Sequence, residues 1–240
     1  MSEAKQSIQE HYAKAARESS AGCCAPTAAG TDGSFGAGLY DGVDTSGIPE
    51  SAVIASIACG VPTAMVEFRE GDTVLDLGSG GGLDALLSAK RVGPTGRVYG
   101  VDMTPEMIEL AQANAAAAGA RNVDFLLGDI GVVPLPDDSV DVAISNCVIN
   151  LAPDKPAVLR ELGRLVRSGG RVGISDVVAE NHLTVAQREE RGSALGCVAG
   201  ALSVEEYERG LRDAGFTEVS VEFTHEVAEA MHGAIIRASR

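Results

Sequence analysis

One stretch in the first half of the chain constrains the fold more than any other. Residues 73–77 (TVLDL) form a short apolar run around one acid, and Gly78, Gly80, Gly81 and Gly82 follow at once. An alanine- and leucine-rich segment typical of a helix comes next. A strand that breaks into glycines before a helix lets polar groups of a ligand approach bare backbone N–H groups. The stretch therefore predicts a buried strand that presents a ligand-binding turn.

Strand-like and helix-like segments alternate downstream of this turn. Further strands are predicted over 96–102, 123–127, 140–145, 171–178, 216–223 and 234–238, and helices over 83–91, 105–118, 153–166 and 204–214. Thr104 and the Ser203–Glu206 capping box are expected to cap two of these helices. No helix separates the last two strands. The pattern predicts an α/β fold, a doubly wound Rossmann-like seven-stranded, mostly parallel sheet with an antiparallel C-terminal hairpin.

The chain upstream of the turn differs in composition and is expected to cover it. The predicted organisation is a cover segment over 1–70 and a Rossmann-like domain over 71–240 with an insertion at about 179–202 that carries Cys197. Within the cover segment we expect an amphipathic helix over 3–17, a glycine-rich loop over 19–47 with Cys23 and Cys24, a helix over 50–57, and a second helix ending near residue 68. A mobile lid and a plain linker both fit the composition of the loop.

Composition narrows the possible partners. A net charge of −15 without a lysine or arginine cluster argues against nucleic-acid binding. No apolar run reaches the length of a membrane span, and the N-terminus is too polar for a signal peptide. The sequence therefore predicts a cytoplasmic protein without membrane contact. Its five cysteines, an odd number without a C-x-x-C pair, are expected to be largely reduced.

The glycine turn departs from the dinucleotide pattern G-x-G-x-x-G, because the third glycine comes one position early. The pattern Asp76-x-Gly78-x-Gly80-x-Gly82 instead resembles the first motif of class I S-adenosylmethionine-dependent methyltransferases. Asp102 and Asp129 follow the next two strands; any single acid there also fits a solvated strand end. The resemblance implies S-adenosylmethionine as cofactor and contacts at Asp76, Gly78, Ser79, Gly80, Gly82, Asp102, Met103, Gly128, Asp129, Ile130 and Asn146.

The cysteines sit in runs that narrow the resemblance further. Ile57–Pro62 holds Cys59, Ser145–Lys155 holds Cys147 in the run Asn-Cys-Val-Ile-Asn-Leu, and 197–201 begins with Cys197. With Cys23-Cys24, these runs resemble bacterial arsenite methyltransferases. The resemblance implies As(III) bound to Cys59, Cys147 and Cys197, one of Cys23 and Cys24 acting with them, and an external thiol such as glutathione or thioredoxin as reductant. By pattern alone, a cysteine is more often a small buried hydrophobe.

The chemistry is consistent with such a substrate. As(III) is soft and prefers thiolate ligands, and its lone pair needs no base to act as a nucleophile. Two alternatives stay open from the sequence: a class I methyltransferase for a small organic acceptor such as a quinone precursor, and a non-catalytic As(III)-binding thiol protein. The former would need a base near the methyl donor; the latter would not need the acids that contact the cofactor.

Overall fold

The computed structural model describes residues 3–20, 37–40, 42–56, 59–61, 63, 66–192 and 197–240. Cys23 and Cys24 lie outside these residues. The helices are α1 Glu3–Ser20, α2 Glu50–Ile54, α3 Leu83–Val92, α4 Pro105–Ala118, α5 Lys155–Leu165, α6 Val185–Glu190 and α7 Val204–Asp213. The strands are β1 Thr73–Leu77, β2 Arg97–Asp102, β3 Val123–Leu127, β4 Val140–Asn146, β5 Val166–Ala179, β6 Leu202–Ser203, β7 Thr217–Ala228 and β8 Met231–Ser239.

One sheet organises the described chain. Its strand order is β3-β2-β1-β4-β5-β8-β7, with β6 paired to β5 off this path. The strands β1 to β5 pair in parallel, and β8 runs antiparallel to both β5 and β7. The predicted Rossmann-like sheet with an antiparallel C-terminal hairpin is confirmed. The sheet has eight strands rather than seven, because two-residue β6 carries too little sequence pattern to be recognised.

Helices cover both faces of the sheet, as a doubly wound fold requires. Leu86 on α3 and Ala111 on α4 belong to one buried apolar cluster. Leu162 on α5 and Leu211 on α7 belong to the other. The carboxyl ends of the central parallel strands therefore open between the two helix layers, where ligands bind in such folds.

The cover segment differs from the prediction in two places. Helix α2 ends at Ile54. Thr63 has 3₁₀ conformation, whereas residues 66–69 are not helical, so the predicted helix ending near residue 68 is wrong at its C-terminal end. Their polar groups bond elsewhere: the Arg69 N–H donates to Asp72 Oδ2 at 2.7 Å, and the Glu67 carbonyl accepts from Arg171 Nε at 2.5 Å. The division into a cover segment over 1–70 and a domain over 71–240 stays a prediction.

Helix ends in the sheet domain follow the sequence with one exception. Ser203 caps α7 in the predicted capping box with Glu206. Thr104 stands at the N-cap of α4, but its hydroxyl makes no capping bond, which corrects the prediction; its backbone N–H instead donates to Asp102 Oδ1 at 2.9 Å. Strand β5 begins five residues earlier than expected, at Val166. No helix in the described part of the chain is both long and apolar enough to cross a bilayer.

Candidate active site

The glycine turn joins β1 to α3 in the left-handed region of backbone space. Gly78 has φ 75° and Gly80 φ 48°. A side chain at Gly78 would collide with Val148, 2.6 Å from a Cβ, whereas a Cβ at Gly80 would meet nothing within 4 Å. The Gly80 N–H donates to Asp102 Oδ2 at 3.0 Å. The turn thus packs tightly against the sheet on one side and leaves its backbone facing open space on the other.

That open space is a cleft at the carboxyl ends of β1, β2 and β4. Most of the residues expected to contact a cofactor line it. They are Asp76, Gly78, Ser79, Gly80, Asp102, Met103, Asp129, Ile130 and Asn146. Gly82 and Gly128 do not line it: Gly82 begins α3, and the Gly128 N–H donates to the Asp102 carbonyl at 2.9 Å. Their parts are to shape the turn and to join β2 to β3.

Two acids at one end of the cleft are buried with unsatisfied oxygens. Asp76 is 2% exposed and Asp84 7% exposed. Oδ2 of Asp76 and Oδ1 of Asp84 have no hydrogen-bond partner among the described residues. Burial, followed by the charges of Asp84 and Asp102, raises the pKa of Asp76 well above its ordinary value. Burial also raises the pKa of Asp84 to about 6. Buried carboxylate oxygens without donors fit a ligand that brings an ammonium group.

The other two expected acids stand where β2 and β3 end. Burial raises the pKa of the Asp102 carboxyl, and the backbone N–H bonds from Thr104 and Gly80 oppose that shift. Asp129 is more exposed and forms an ion pair with Lys5 on α1. Although partial burial raises the pKa of Asp129, the bonds from Lys5 and the Gly131 N–H lower it more. Carboxyl groups therefore line the cleft from the glycine turn to the end of β3.

Helix α1 borders this cleft, and the covering of the cleft by the upstream segment as a whole stays a prediction. Lys5, Ile8 and Tyr12 form part of the cleft wall. Gln9 Nε2 donates to the Met103 carbonyl at 2.8 Å, beside the end of β2. The amphipathic pattern of α1 predicts that one face of the helix is buried. It does not predict where on the molecule that face packs.

A second polar network connects the cleft to the chain around Cys59. Tyr40 donates its hydroxyl to Asp84 Oδ2 at 2.7 Å, and Asn146 Nδ2 donates to the same oxygen at 3.1 Å. Asn146 also donates to the Gly60 carbonyl at 2.8 Å and accepts from the Cys59 N–H at 3.2 Å. Tyr40 and Asp84 were not predicted as site residues. Asp84 lies in the first turn of α3, two residues after Gly82. This position beside the glycine turn is the sequence feature from which Asp84 could have been predicted.

Three cysteines from distant parts of the sequence meet at one wall of the cleft. The sulfurs of Cys59, Cys147 and Cys197 all lie within 4.8 Å of one another. Cys59 and Cys147 lie side by side with Cα atoms 5.9 Å apart, a separation at which two thiols can close to a disulfide, and the expectation of largely reduced cysteines stays a prediction. Cys197 Sγ lies 3.7 Å from Cys147 Sγ, and Cys147 itself lines the cleft. Burial, followed by the charge of Asp176, raises the pKa of the Cys197 thiol to about 12.

Known proteins resemble this chain over both the fold and the site. A family profile described as a methyltransferase domain matches residues 68–215. The crystal structure of an arsenic (III) S-adenosylmethionine methyltransferase from Chlamydomonas reinhardtii superimposes with a TM-score of 0.64 and 36% identity, over 76% of this chain and 67% of that one. The chain belongs to the arsenite methyltransferase family.

Relatives in this family come from distant organisms. An arsenite methyltransferase of Halobacterium salinarum is 46% identical over 201 residues, which cover 83% of this chain and 50% of the relative. The human arsenite methyltransferase is 35% identical over 164 residues, covering 65% of this chain and 43% of the relative. The chain spans about half the length of these curated relatives.

Proposed function

We propose that this chain transfers methyl groups from S-adenosylmethionine to trivalent arsenic, either arsenite or methylarsenite. The observation that carries the proposal is the place of the thiol cluster. Cys147 belongs both to the wall of the cleft and to the group of three sulfurs within 4.8 Å. A substrate atom held by these sulfurs would face the ligand in the cleft, which is the proximity that direct group transfer requires.

The residues of the cleft fit S-adenosylmethionine as the methyl donor. Asp76 and Asp84 have unpartnered buried oxygens suited to its ammonium group. Asp102 lies at the end of β2, where a carboxylate can accept from ribose hydroxyls. Asp129 and Ile130 line the same cleft beyond β3, where adenine would lie. When bound, the cofactor supplies an electrophilic methyl group on a sulfonium sulfur.

In their reduced form, Cys59, Cys147 and Cys197 would bind the arsenic as thiolates. Each thiol displaces one hydroxide of arsenous acid; the thiol proton leaves with that hydroxide as water, and an As–S bond forms. A high thiol pKa, as at Cys197, is compatible with this exchange because the proton is consumed by the leaving group. The arsenic lone pair would then be the nucleophile toward the methyl group, so the transfer needs no base. Two of the cysteine ligands, closing to a disulfide, would supply the two electrons that return the methylated arsenic to the trivalent state.

We further propose that Cys23 or Cys24 acts with this cluster and that an external thiol, glutathione or thioredoxin, restores the reduced cysteines after turnover. Such reductants are abundant in the cytoplasm, which is the compartment we propose for the chain. The Cα separation of 5.9 Å between Cys59 and Cys147 would permit a disulfide between two of the three proposed ligands, which supports a redox role.

The test combines the protein with arsenite, S-adenosylmethionine and glutathione and measures methylated arsenicals by liquid chromatography and mass spectrometry. We expect product from the wild type and none from Cys197→Ser, with binding of S-adenosylhomocysteine preserved in both. Val198→Ala, which alters the neighbouring residue of the same turn, is the matched control and should stay active. Full activity in Cys197→Ser, or arsenic binding without any methylated product in the wild type, would refute the proposal; the second result would favour a non-catalytic thiol protein.

A further inference from the structure

A buried polar cluster lies behind the thiols and outside the cleft. Asp176 on β5 and Tyr207 on α7 are fully buried, and Asn150 is 3% exposed. Asn150 Nδ2 donates to Asp176 Oδ1 at 2.7 Å, and the Tyr207 hydroxyl donates to Asp176 Oδ2 at 2.8 Å. None of the three lines the cleft. Cofactor binding therefore does not explain why a carboxyl group is buried at this position.

The cluster holds the turn that carries Cys147. Asn150 lies in the 3₁₀ turn Ile149–Leu151, and its backbone N–H donates to Asp176 Oδ2 at 3.4 Å. The Cys147 N–H donates to the Ser175 carbonyl at 2.8 Å. Two neighbouring residues of β5 thus fix the turn at both ends. Cys147 itself has φ 55°, a conformation that a non-glycine residue keeps only where its surroundings enforce it.

The same asparagine also holds the segment that carries Cys197. Asn150 Oδ1 accepts from the Leu202 N–H at 3.3 Å. Gly200 approaches so closely that a methyl group there would overlap the Asn150 carbonyl oxygen. One side chain therefore bonds to β5, where the Cys147 turn is fixed, and to the segment of Cys197.

We propose that Asn150, fixed by Asp176, is a positioning residue that sets the spacing of the Cys147 and Cys197 sulfurs for a single arsenic atom. This inference rests on the proposed function. Three ligands can reach one atom only when their elements are held to within a fraction of an ångström. Apolar contacts would fill the same volume without desolvating a carboxyl group, but they lack the directional bonds that fix a spacing.

The expected size of the effect follows from residues that orient metal ligands from outside the ligand set. Their loss typically weakens binding 10- to 100-fold. We therefore expect Asn150→Ala to weaken As(III) binding by about 10- to 100-fold while leaving S-adenosylhomocysteine binding unchanged. The number of sulfur neighbours of arsenic, counted by X-ray absorption spectroscopy on the reduced full chain, should fall from three to two.

Asn122→Ala is the matched control. Asn122 donates its side-chain amide to two backbone carbonyls, those of Ala89 and Gly93, and it directly precedes β3, at the amino end of the parallel strands and away from the thiols. It should keep three sulfur neighbours and wild-type affinity. Gly200→Ala is a second test variant, because it pushes the Cys197 segment away without removing any polar group; it should lose a sulfur neighbour as Asn150→Ala does.

The possible outcomes separate the inference from the proposed function. A wild type without As–S bonds would refute the function itself. A wild type with three sulfur neighbours and variants that keep all three at unchanged affinity would refute the inference alone. If Asn150→Ala and Gly200→Ala both lose S-adenosylhomocysteine binding as well, Asn150 serves the fold as a whole and the inference also fails.

Discussion

The buried acids Asp76 and Asp84 differ from the buried acid Asp176 in where their hydrogen-bond donors come from. In the cleft, Asp76 and Asp84 each have one carboxylate oxygen without a donor among the described residues. A cationic ligand would donate the missing hydrogen bonds. Behind the thiols, Asp176 accepts hydrogen bonds from Asn150, Tyr207 and the Val177 N–H, so the protein itself supplies the donors. Asp76 and Asp84 serve ligand binding, whereas Asp176 holds Asn150 and Tyr207 in place.

The protonation of Asp176 predicts a pH-dependent stability. Burial raises its pKa to about 7, despite the opposing bonds from Tyr207 and the backbone. Below an ordinary carboxyl pKa of about 4, both the folded and the unfolded state hold the proton. As the pH rises to about 7, the unfolded state loses it first, so stability falls. From pH 5 to pH 8, this group should lower the free energy of unfolding by about 2 to 3 kcal/mol.

Asp176→Asn removes the titrating group and should flatten this part of the pH profile. The measurement is urea unfolding of wild type and variant at pH 5 and pH 8, compared by the change in unfolding free energy rather than by its absolute value. Asp213→Asn, which removes an exposed acid at the end of α7, is the control and should keep the wild-type slope. Parallel profiles for wild type and Asp176→Asn would contradict the assignment.

Sequence motifs located Asp76, Asp102 and Asp129 but neither Asp84 nor the residues that fix the thiols. Asp76 and Asp102 stand at strand ends, where local pattern is sufficient to place them. Tyr40, Asn150 and Asp176 act through partners distant in sequence, and an isolated asparagine or tyrosine has no pattern of its own. The same reason explains why the cysteines were grouped only by resemblance: nothing local relates Cys59 to Cys197.

At the scale of elements, α1 turns the open edge of a methyltransferase sheet into a walled cleft. It packs through a small apolar cluster in which Ala16 meets Ala55, Met107 and Leu110. An exposed ion pair between Arg17 and Glu106 at 2.7 Å adds little at such exposure. Because none of the described side chains of α1 belongs to the two main apolar clusters that pack on the sheet, the helix should detach without unfolding the sheet.

Ala16→Asp tests whether α1 is a separable wall. A charge at this fully buried position cannot be solvated while α1 stays docked, so the helix should leave the cleft. We expect about tenfold weaker S-adenosylhomocysteine binding by calorimetry and faster tryptic cleavage at Lys14 and Arg17. The sheet should keep its cooperative thermal transition.

Ser7→Asp places the same charge on an exposed position of α1 and controls for the change in net charge. It should bind the cofactor analogue as the wild type does. Unchanged affinity and proteolysis in Ala16→Asp would show that α1 is not needed for the cleft. Loss of the thermal transition would contradict the view of α1 as a separable element.

At the scale of the whole molecule, the cleft and the thiol cluster share one residue that bonds to both. Asn146 donates to Asp84 in the cleft and to the Gly60 carbonyl, and it accepts from the Cys59 N–H. A ligand that orders Asp84 therefore also orders the segment carrying one of the three sulfurs. Two sites linked in this way should bind their ligands cooperatively, and the coupling must be reciprocal.

We expect S-adenosylhomocysteine to tighten As(III) binding about five- to tenfold in the reduced wild type, and As(III) to tighten S-adenosylhomocysteine binding by the same factor. Equilibrium dialysis with elemental analysis for arsenic and calorimetry for the cofactor analogue measure the two directions.

Asn146→Ala should bring the ratio of affinities with and without the second ligand close to one, whatever it does to either affinity alone. Asn114→Ala is the matched control, because Asn114 donates to the Gly81 carbonyl of the glycine turn at 2.8 Å and accepts from Ser51 Oγ on α2, but has no hydrogen bond to Cys59 or Gly60 among the described residues. If Asn146→Ala kept the full wild-type ratio, the coupling would have to pass through Cys147 instead, the remaining residue that joins the thiol cluster to the cleft wall.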